Sequence, residues 1–303
     1  MTSAANPASW LTGPLADLPT PFDAAGALDL SAFANLCERQ VAAGAPAIVV
    51  SETAGEASTL SALEQSMIIR TAVEVARGRV RVIAGVTSNA TSKAIALAKQ
   101  AEAAGADAIL SVVPYYNKPI QAGIEAHFLA IADSTELSII LHDVPARTNR
   151  DFADATLMRL ARSRRFIGLK DATGDVSRVA RLRPYLPASF HLMSGDDGSA
   201  LGFIASGGDG SISMIANVAP ALCRTILACC RKENWQAARA LHKRLAALEA
   251  LLSREGPPAL KAALSELGLM RPNPRLPLVA LDDMVAGEIA RAVAAITEQD
   301  IAA

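Results

Sequence analysis

Aromatic residues are scarce in this chain: two Trp, three Tyr and seven Phe among 303 residues. So few rings do not make a base-stacking surface. A formal net charge of −1 supplies no field that would draw nucleic acid or an anionic membrane, so neither is expected as a partner. No apolar run approaches the roughly 20 residues of a spanning helix, and Met1–Trp10 lacks the basic start and apolar centre of a secretion signal. Cysteine is limited to Cys37, Cys223, Cys229 and Cys230, with no Cys-x-x-Cys pair. That pattern predicts reduced, mostly buried thiols in a cytoplasmic protein. The histidines His127, His142, His191 and His242 are scattered without ligand spacing, so no metal is expected. No Gly-x-Gly-x-x-Gly follows the first strand, which removes the usual signal for a dinucleotide cofactor. No cofactor is expected at all.

What the chain has in quantity is aliphatic sequence, within a hydrophobic share of 51%. Short runs rich in Val, Ile and Leu recur: Leu15–Leu18, Ala45–Val50, Val80–Val86, Ala106–Val113, Leu137–Leu141, Phe166–Lys170, Phe190–Ser194 and Gly210–Ile215. Between them lie segments with apolar residues at helical spacing, such as Ser31–Ala43, Ala62–Arg77, Ser92–Ala104 and Ile124–Asp133. Near-continuous apolar strands alternating with helices predict a parallel sheet covered on both faces. Eight such units predict an α/β fold, a closed (β/α)8 TIM barrel, over residues 1–218. After Asn217 the strand pattern stops. Ala219–Arg231, Asn234–Ser253, Pro258–Leu267 and Asp282–Ile296 read as helices, a C-terminal helical region over 219–303.

In a barrel of this kind the strand C-termini face the active site, so the residues that end each strand are the candidates. The first strand leads to Thr20-Pro21, the second to Ser51-Glu52-Thr53-Ala54-Gly55-Glu56, and the fourth to Pro114-Tyr115-Tyr116-Asn117. The fifth leads to His142-Asp143-Val144-Pro145-Ala146-Arg147-Thr148-Asn149, the sixth ends in Lys170, the seventh in Gly195-Asp196-Asp197, and the eighth spans Ile212 to Asn217. Lys170 closes a buried strand, where poor hydration is expected to lower its pKa toward neutrality and leave an amine able to attack a ketone. Amine, phenol, hydroxyl, imidazole and guanidinium together suit imine chemistry on a keto acid: one forms the imine, others move protons, and the cation holds a carboxylate.

Five of these stretches carry a resemblance. They are Gly55-Glu56, Val112-Val113-Pro114-Tyr115-Tyr116-Asn117, Val144-Pro145-Ala146-Arg147-Thr148, Ile167-Gly168-Leu169-Lys170-Asp171-Ala172-Thr173-Gly174 and Ser194-Gly195-Asp196-Asp197. In order and spacing they resemble the dihydrodipicolinate synthase / N-acetylneuraminate lyase family, from about Pro14 to Pro277. Arg147 in a Val-Pro-x-Arg-Thr setting resembles the dihydrodipicolinate synthase branch. The resemblance implies a class I lyase that condenses pyruvate with aspartate 4-semialdehyde on the diaminopimelate route to lysine. Lys170 would form the Schiff base, Thr53 and Tyr116 would belong to a proton relay, and Tyr116 would reach into a neighbouring subunit of a homotetramer. Arg147 would receive the second substrate's carboxylate, and Ile212 would contact pyruvate through its backbone.

The chain also departs from the pattern. His142 stands where the family's third relay residue is a tyrosine, either as an acid/base in its place or as a spectator bonded to Asp143. Imidazole titrates near ~6.5 against ~10 for a phenol, so its protonation is open to change at neutral pH. Glu52 replaces the loop's first glycine and Ala54 its second hydroxyl, leaving backbone amides of the Ala54-Gly55 stretch to hold the pyruvate carboxylate. Glu52 is expected either to pair with His142 or to select a substrate lacking a charge there, or else to point to solvent or to a subunit contact. A related aldolase or dehydratase acting on sugar-acid-like substrates, and a non-catalytic keto-acid-binding paralogue, remain alternatives. Ala62, Gln65 and Lys93 occupy places where lysine-inhibited members carry two imidazoles and a carboxylate. Lysine is therefore expected to inhibit weakly or not at all; half-inhibition at sub-millimolar lysine in a steady-state assay would contradict that expectation.

Overall fold

A computed structural model describes residues 8–301. Residues 1–7, which include most of the Met1–Trp10 segment, and 302–303 lie outside the described residues. Eight parallel strands close into a barrel, each hydrogen-bonded to the next in sequence and the first to the last. They are β1 (Gly13–Asp17), β2 (Ala47–Val50), β3 (Arg81–Gly85), β4 (Ala108–Val112), β5 (Ser138–Asp143), β6 (Phe166–Asp171), β7 (His191–Ser194) and β8 (Gly210–Ser213). All eight expected strands are present. The first ends at Asp17 rather than beyond it, and the fifth runs on through His142 to Asp143.

Two apolar layers hold the barrel. Leu15, Val49, Ile83, Leu110, Ile140, Ile167, Met193 and Ile212 fill its interior. Alternate strand residues, among them Ala16, Ile48, Val50, Leu141 and Leu169, pack outward in a layer with the helices. The interior plug dictates what lies above it. Asp17 is two residues beyond Leu15 and His142 two beyond Ile140, so both side chains follow those leucine and isoleucine side chains into the barrel.

The C-terminal segment forms the helices Pro220–Arg231, Trp235–His242, Ala246–Glu255, Pro257–Glu266 and Asp283–Ile301. The helix expected over Asn234–Ser253 is broken between His242 and Ala246. The break turns the Ala246–Glu255 helix over the strand C-termini, where Glu249, Leu252 and Ser253 reach the cavity. Buried leucines of this segment, Leu248, Leu252, Leu260 and Leu264, share one core with the outer barrel layer.

The loop after β2 is clamped at both ends. Ser51 adopts φ +54°, turning the chain sharply inward. Its carbonyl lies against Gly85, where an added Cβ would sit 1.9 Å from Ser51 O. At the far end buried Glu56 pairs with the Lys261 ammonium and accepts from the Arg275 N–H at 2.9 Å. Gly85→Ala is expected to displace the turn and cost on the order of 1–3 kcal/mol. A urea melt reports it; an unshifted midpoint would show that the turn has room to spare.

Candidate active site

Lys170 ends the inward face of β6, directly opposite His142 in β5 and Met193 in β7. The residue is 4% exposed, with the apolar plug below. The ammonium donates to Asp17 Oδ2 at 3.0 Å and to Glu52 Oε2 at 3.2 Å. His142 Nδ1–H donates to Glu52 Oε1 at 2.9 Å, and the Thr53 N–H donates to Glu52 Oε2. Lysine, two carboxylates and an imidazole thus form one buried hydrogen-bonded group drawn from four elements.

This corrects the expectation that Lys170 is neutral at rest. Burial alone does lower the pKa of an amine. Here the charges of Asp17 and Glu52 outweigh burial, and the Lys170 pKa rises above that of an ordinary lysine. The sequence reading supplied the burial and missed the counter-charges. For Glu52, burial acting upward is overcome by Lys170, His142 and the Thr53 N–H, which hold the carboxyl well below its usual range. His142 is pushed below its ordinary value by burial, against the pull of Glu52 and with help from Lys170. A neutral ring donating from Nδ1 leaves Nε2 as an acceptor.

Of the expectations for Glu52, pairing with His142 is observed and exposure to solvent is not, the residue being 2% exposed. The alternative bond from His142 to Asp143 is absent. Strand alternation sends Asp143 to the other face, where it accepts from Arg178 Nη1 at 2.7 Å and from the Phe152 N–H at 3.2 Å.

Above this group lies a cavity of about 340 Å³, lined by Asp17, Thr53, His142, Arg147, Lys170 and Ile212 among others. Arg147 sits on the short helix Pro145–Thr148 and makes no ion pair among the described residues, so its guanidinium is free to receive an anion. Ala54 and Gly55 are buried and line no part of this cavity. Their N–H groups have no acceptor among the described residues. Tyr116 is not in this chain's own cavity. It is 89% exposed, at φ +70°.

Two features of the site escaped the sequence reading. Asp17 is the charged end of an otherwise apolar first strand, a signal that was available. Glu249 comes from the Ala246–Glu255 helix and lines the cavity beside Asp196 and Asp197. Burial, with the charges of Asp197 and Asp196, pushes its pKa up to about 8. Nothing local in a helical sequence marks such a residue.

Comparison with known proteins identifies the family. A family model described as "Dihydrodipicolinate synthetase family" matches residues 11–296. A Hyphomonas neptunium protein named 4-hydroxy-tetrahydrodipicolinate synthase is 48% identical over 273 residues, covering 89% of this chain and 93% of that protein. A Thiobacillus denitrificans protein of the same name is 47% identical, covering 89% and 91%. Among solved structures, the chloride-inhibited dihydrodipicolinate synthase of Acinetobacter baumannii complexed with pyruvate superposes with a TM-score of 0.91. Identity is 38%, with 94% of this chain and 99% of that one covered. The chain belongs to the dihydrodipicolinate synthetase family.

Proposed function

We propose that this protein is a Schiff-base-forming lyase that condenses pyruvate with aspartate 4-semialdehyde, a 4-hydroxy-tetrahydrodipicolinate synthase. The observation that carries the reading is a buried lysine at the floor of a polar cavity, within hydrogen-bond reach of groups able to take its proton. Lys170 attacks the ketone carbon, and the iminium that results acts as an electron sink for removal of a methyl proton. The enamine then attacks the aldehyde carbon of the second substrate. Arg147 pairs with that substrate's carboxylate, while the backbone at Ile212, which lines the cavity, serves the pyruvate end. Thr53 and His142 line the cavity and supply the proton-carrying positions. None of these steps requires a metal or a nucleotide.

Tyr116 serves the site of a neighbouring subunit in a homotetramer built as a dimer of dimers. Its exposed position outside its own cavity supports that assignment. Four free cysteines support a cytoplasmic setting, and among the described residues no helix is long and apolar enough to cross a membrane.

A specific observation favours a second reading, an aldolase or dehydratase using the same imine on another 2-keto acid. The buried Glu52 carboxylate beside Lys170 stands where the resemblance expects a neutral glycine, and it selects for a second substrate that carries no negative charge at that point. Retro-aldol assays on sugar acids, run beside the aspartate semialdehyde assay, separate the two by their relative kcat/KM.

Lys170→Arg keeps a cation opposite Asp17 and Glu52 but supplies no nucleophile at neutral pH. Turnover is expected to fall by orders of magnitude, and borohydride with pyruvate should give no adduct by mass spectrometry. Retained turnover would remove Lys170 from the mechanism, and a wild-type protein that forms no adduct would indicate a binder. Tyr116→Phe is expected to lower kcat without releasing the subunits. Sedimentation velocity checks the assembly, and a monomeric wild-type protein would refute the shared site.

A further inference from the structure

Asp17 is 2% exposed, lines the cavity, and holds Oδ2 3.0 Å from the Lys170 ammonium. Its other oxygen, Oδ1, is buried and accepts no hydrogen bond among the described residues. Glu52 approaches the same nitrogen but is differently supported, with three donors on its carboxylate: Lys170, His142 and the Thr53 N–H. When two carboxylates share a site and their surroundings differ, the better-supported one stays ionised and the other exchanges protons.

We propose that Asp17 is a catalytic acid/base for imine formation, carrying protons between Lys170 Nζ and the departing oxygen of the keto substrate. This rests on the reading of Lys170 as the imine-forming amine. In the resting enzyme Lys170 is an ammonium and Asp17 a carboxylate. Asp17 takes one ammonium proton, and the freed lone pair forms the C–N bond while the carbonyl π electrons move to oxygen. Asp17 gives its proton to that oxygen, then takes one from the new secondary ammonium, leaving a neutral carbinolamine. Finally Asp17 protonates the hydroxyl. Water leaves as the nitrogen lone pair forms the C=N bond, and an iminium stands beside a regenerated carboxylate. Atoms and charge balance with no further reactant. Glu52 stays anionic throughout and holds His142 in its Nδ1–H form.

The groups facing Asp17 are Lys170 from β6 and Glu52 from the loop after β2, with His142 of β5 behind Glu52. From the β8 side Asn217, which is uncharged, donates to the Asp17 backbone carbonyl at 2.8 Å. Burial, against the pull of Lys170 and with the repulsion of Glu52, pushes the Asp17 carboxyl from 3.8 up to about 7. The sign follows directly. Below that value Asp17 already holds a proton and cannot accept one, so adduct formation slows as pH falls through neutrality.

Rapid-quench borohydride trapping of pyruvate on Lys170, read by intact mass across pH, tests this in the wild type, Asp17→Asn and Asp17→Glu. The wild-type rate should lose about tenfold per pH unit on the acid side of the inflection. Asp17→Asn should be slower by about 10²–10⁴-fold and lack that limb, and Asp17→Glu should restore part of the rate with the limb displaced. Asp17→Asn trapping pyruvate at the wild-type rate with the wild-type limb would overturn the proposal. If that variant does not fold by near-ultraviolet circular dichroism, Asp17→Glu decides: an acid limb displaced from its wild-type position supports Asp17, and an unmoved limb, or a flat wild-type profile, overturns the proposal. Failure of the wild type to trap pyruvate at any pH would instead refute the imine reading, and this proposal with it.

Discussion

The Lys170 ammonium is bonded to Asp17 and Glu52 above an apolar plug, and the arrangement of the site depends on that triple contact. A lysine alone at that depth is costly to keep charged, and two carboxylates alone would repel each other. Together they leave one negative charge in excess. The excess is tolerated because Glu52 also receives donors from His142 and the loop backbone. The unequal support of the two carboxylates follows from position. Glu52 sits on a loop where the next residue's N–H, that of Thr53, turns toward it, whereas Asp17 ends a strand whose backbone is committed to the barrel ladder.

The barrel was legible because its physics is periodic. Each of the eight aliphatic runs coincides with a strand, and their boundaries moved by a few residues at most. The strand-end rule then placed Lys170, His142, Thr53, Arg147 and Ile212 around one cavity. The charge state of Lys170 was not legible, because it depends on partners 153 and 118 positions away in the chain. Local sequence reports whether a group is buried; it does not report what meets the group there. Asp17 illustrates the difference: its place beside Leu15 is visible in the first strand, yet its contact with the amine needs the barrel to close. Glu249 is harder still, since only the break after His242 turns its helix over the strand ends.

The substitutions in the loop and at the end of β5 make one physical unit. Where the resemblance expects a tyrosine His142 is shorter, and where it expects a glycine Glu52 supplies a carboxylate that bonds to the imidazole. His142 Nδ1–H finds its acceptor in Glu52, and Glu52 Oε1 finds its donor in His142, while Glu52 Oε2 is held by Lys170 and the Thr53 N–H. A family resemblance reads them as two separate departures, and the 2.9 Å contact joins them.

The clamp between Glu56 and the C-terminal segment has a consequence for biogenesis. Arg275, whose amide holds Glu56, lies 219 positions beyond it, so every barrel strand leaves the ribosome before that anchor exists. The loop bearing Glu52 and Thr53 lacks its far-end anchors until Lys261 and Arg275 have been made. Glu52, a partner of the Lys170 ammonium, is thus held in place from chain that is synthesised after the whole barrel.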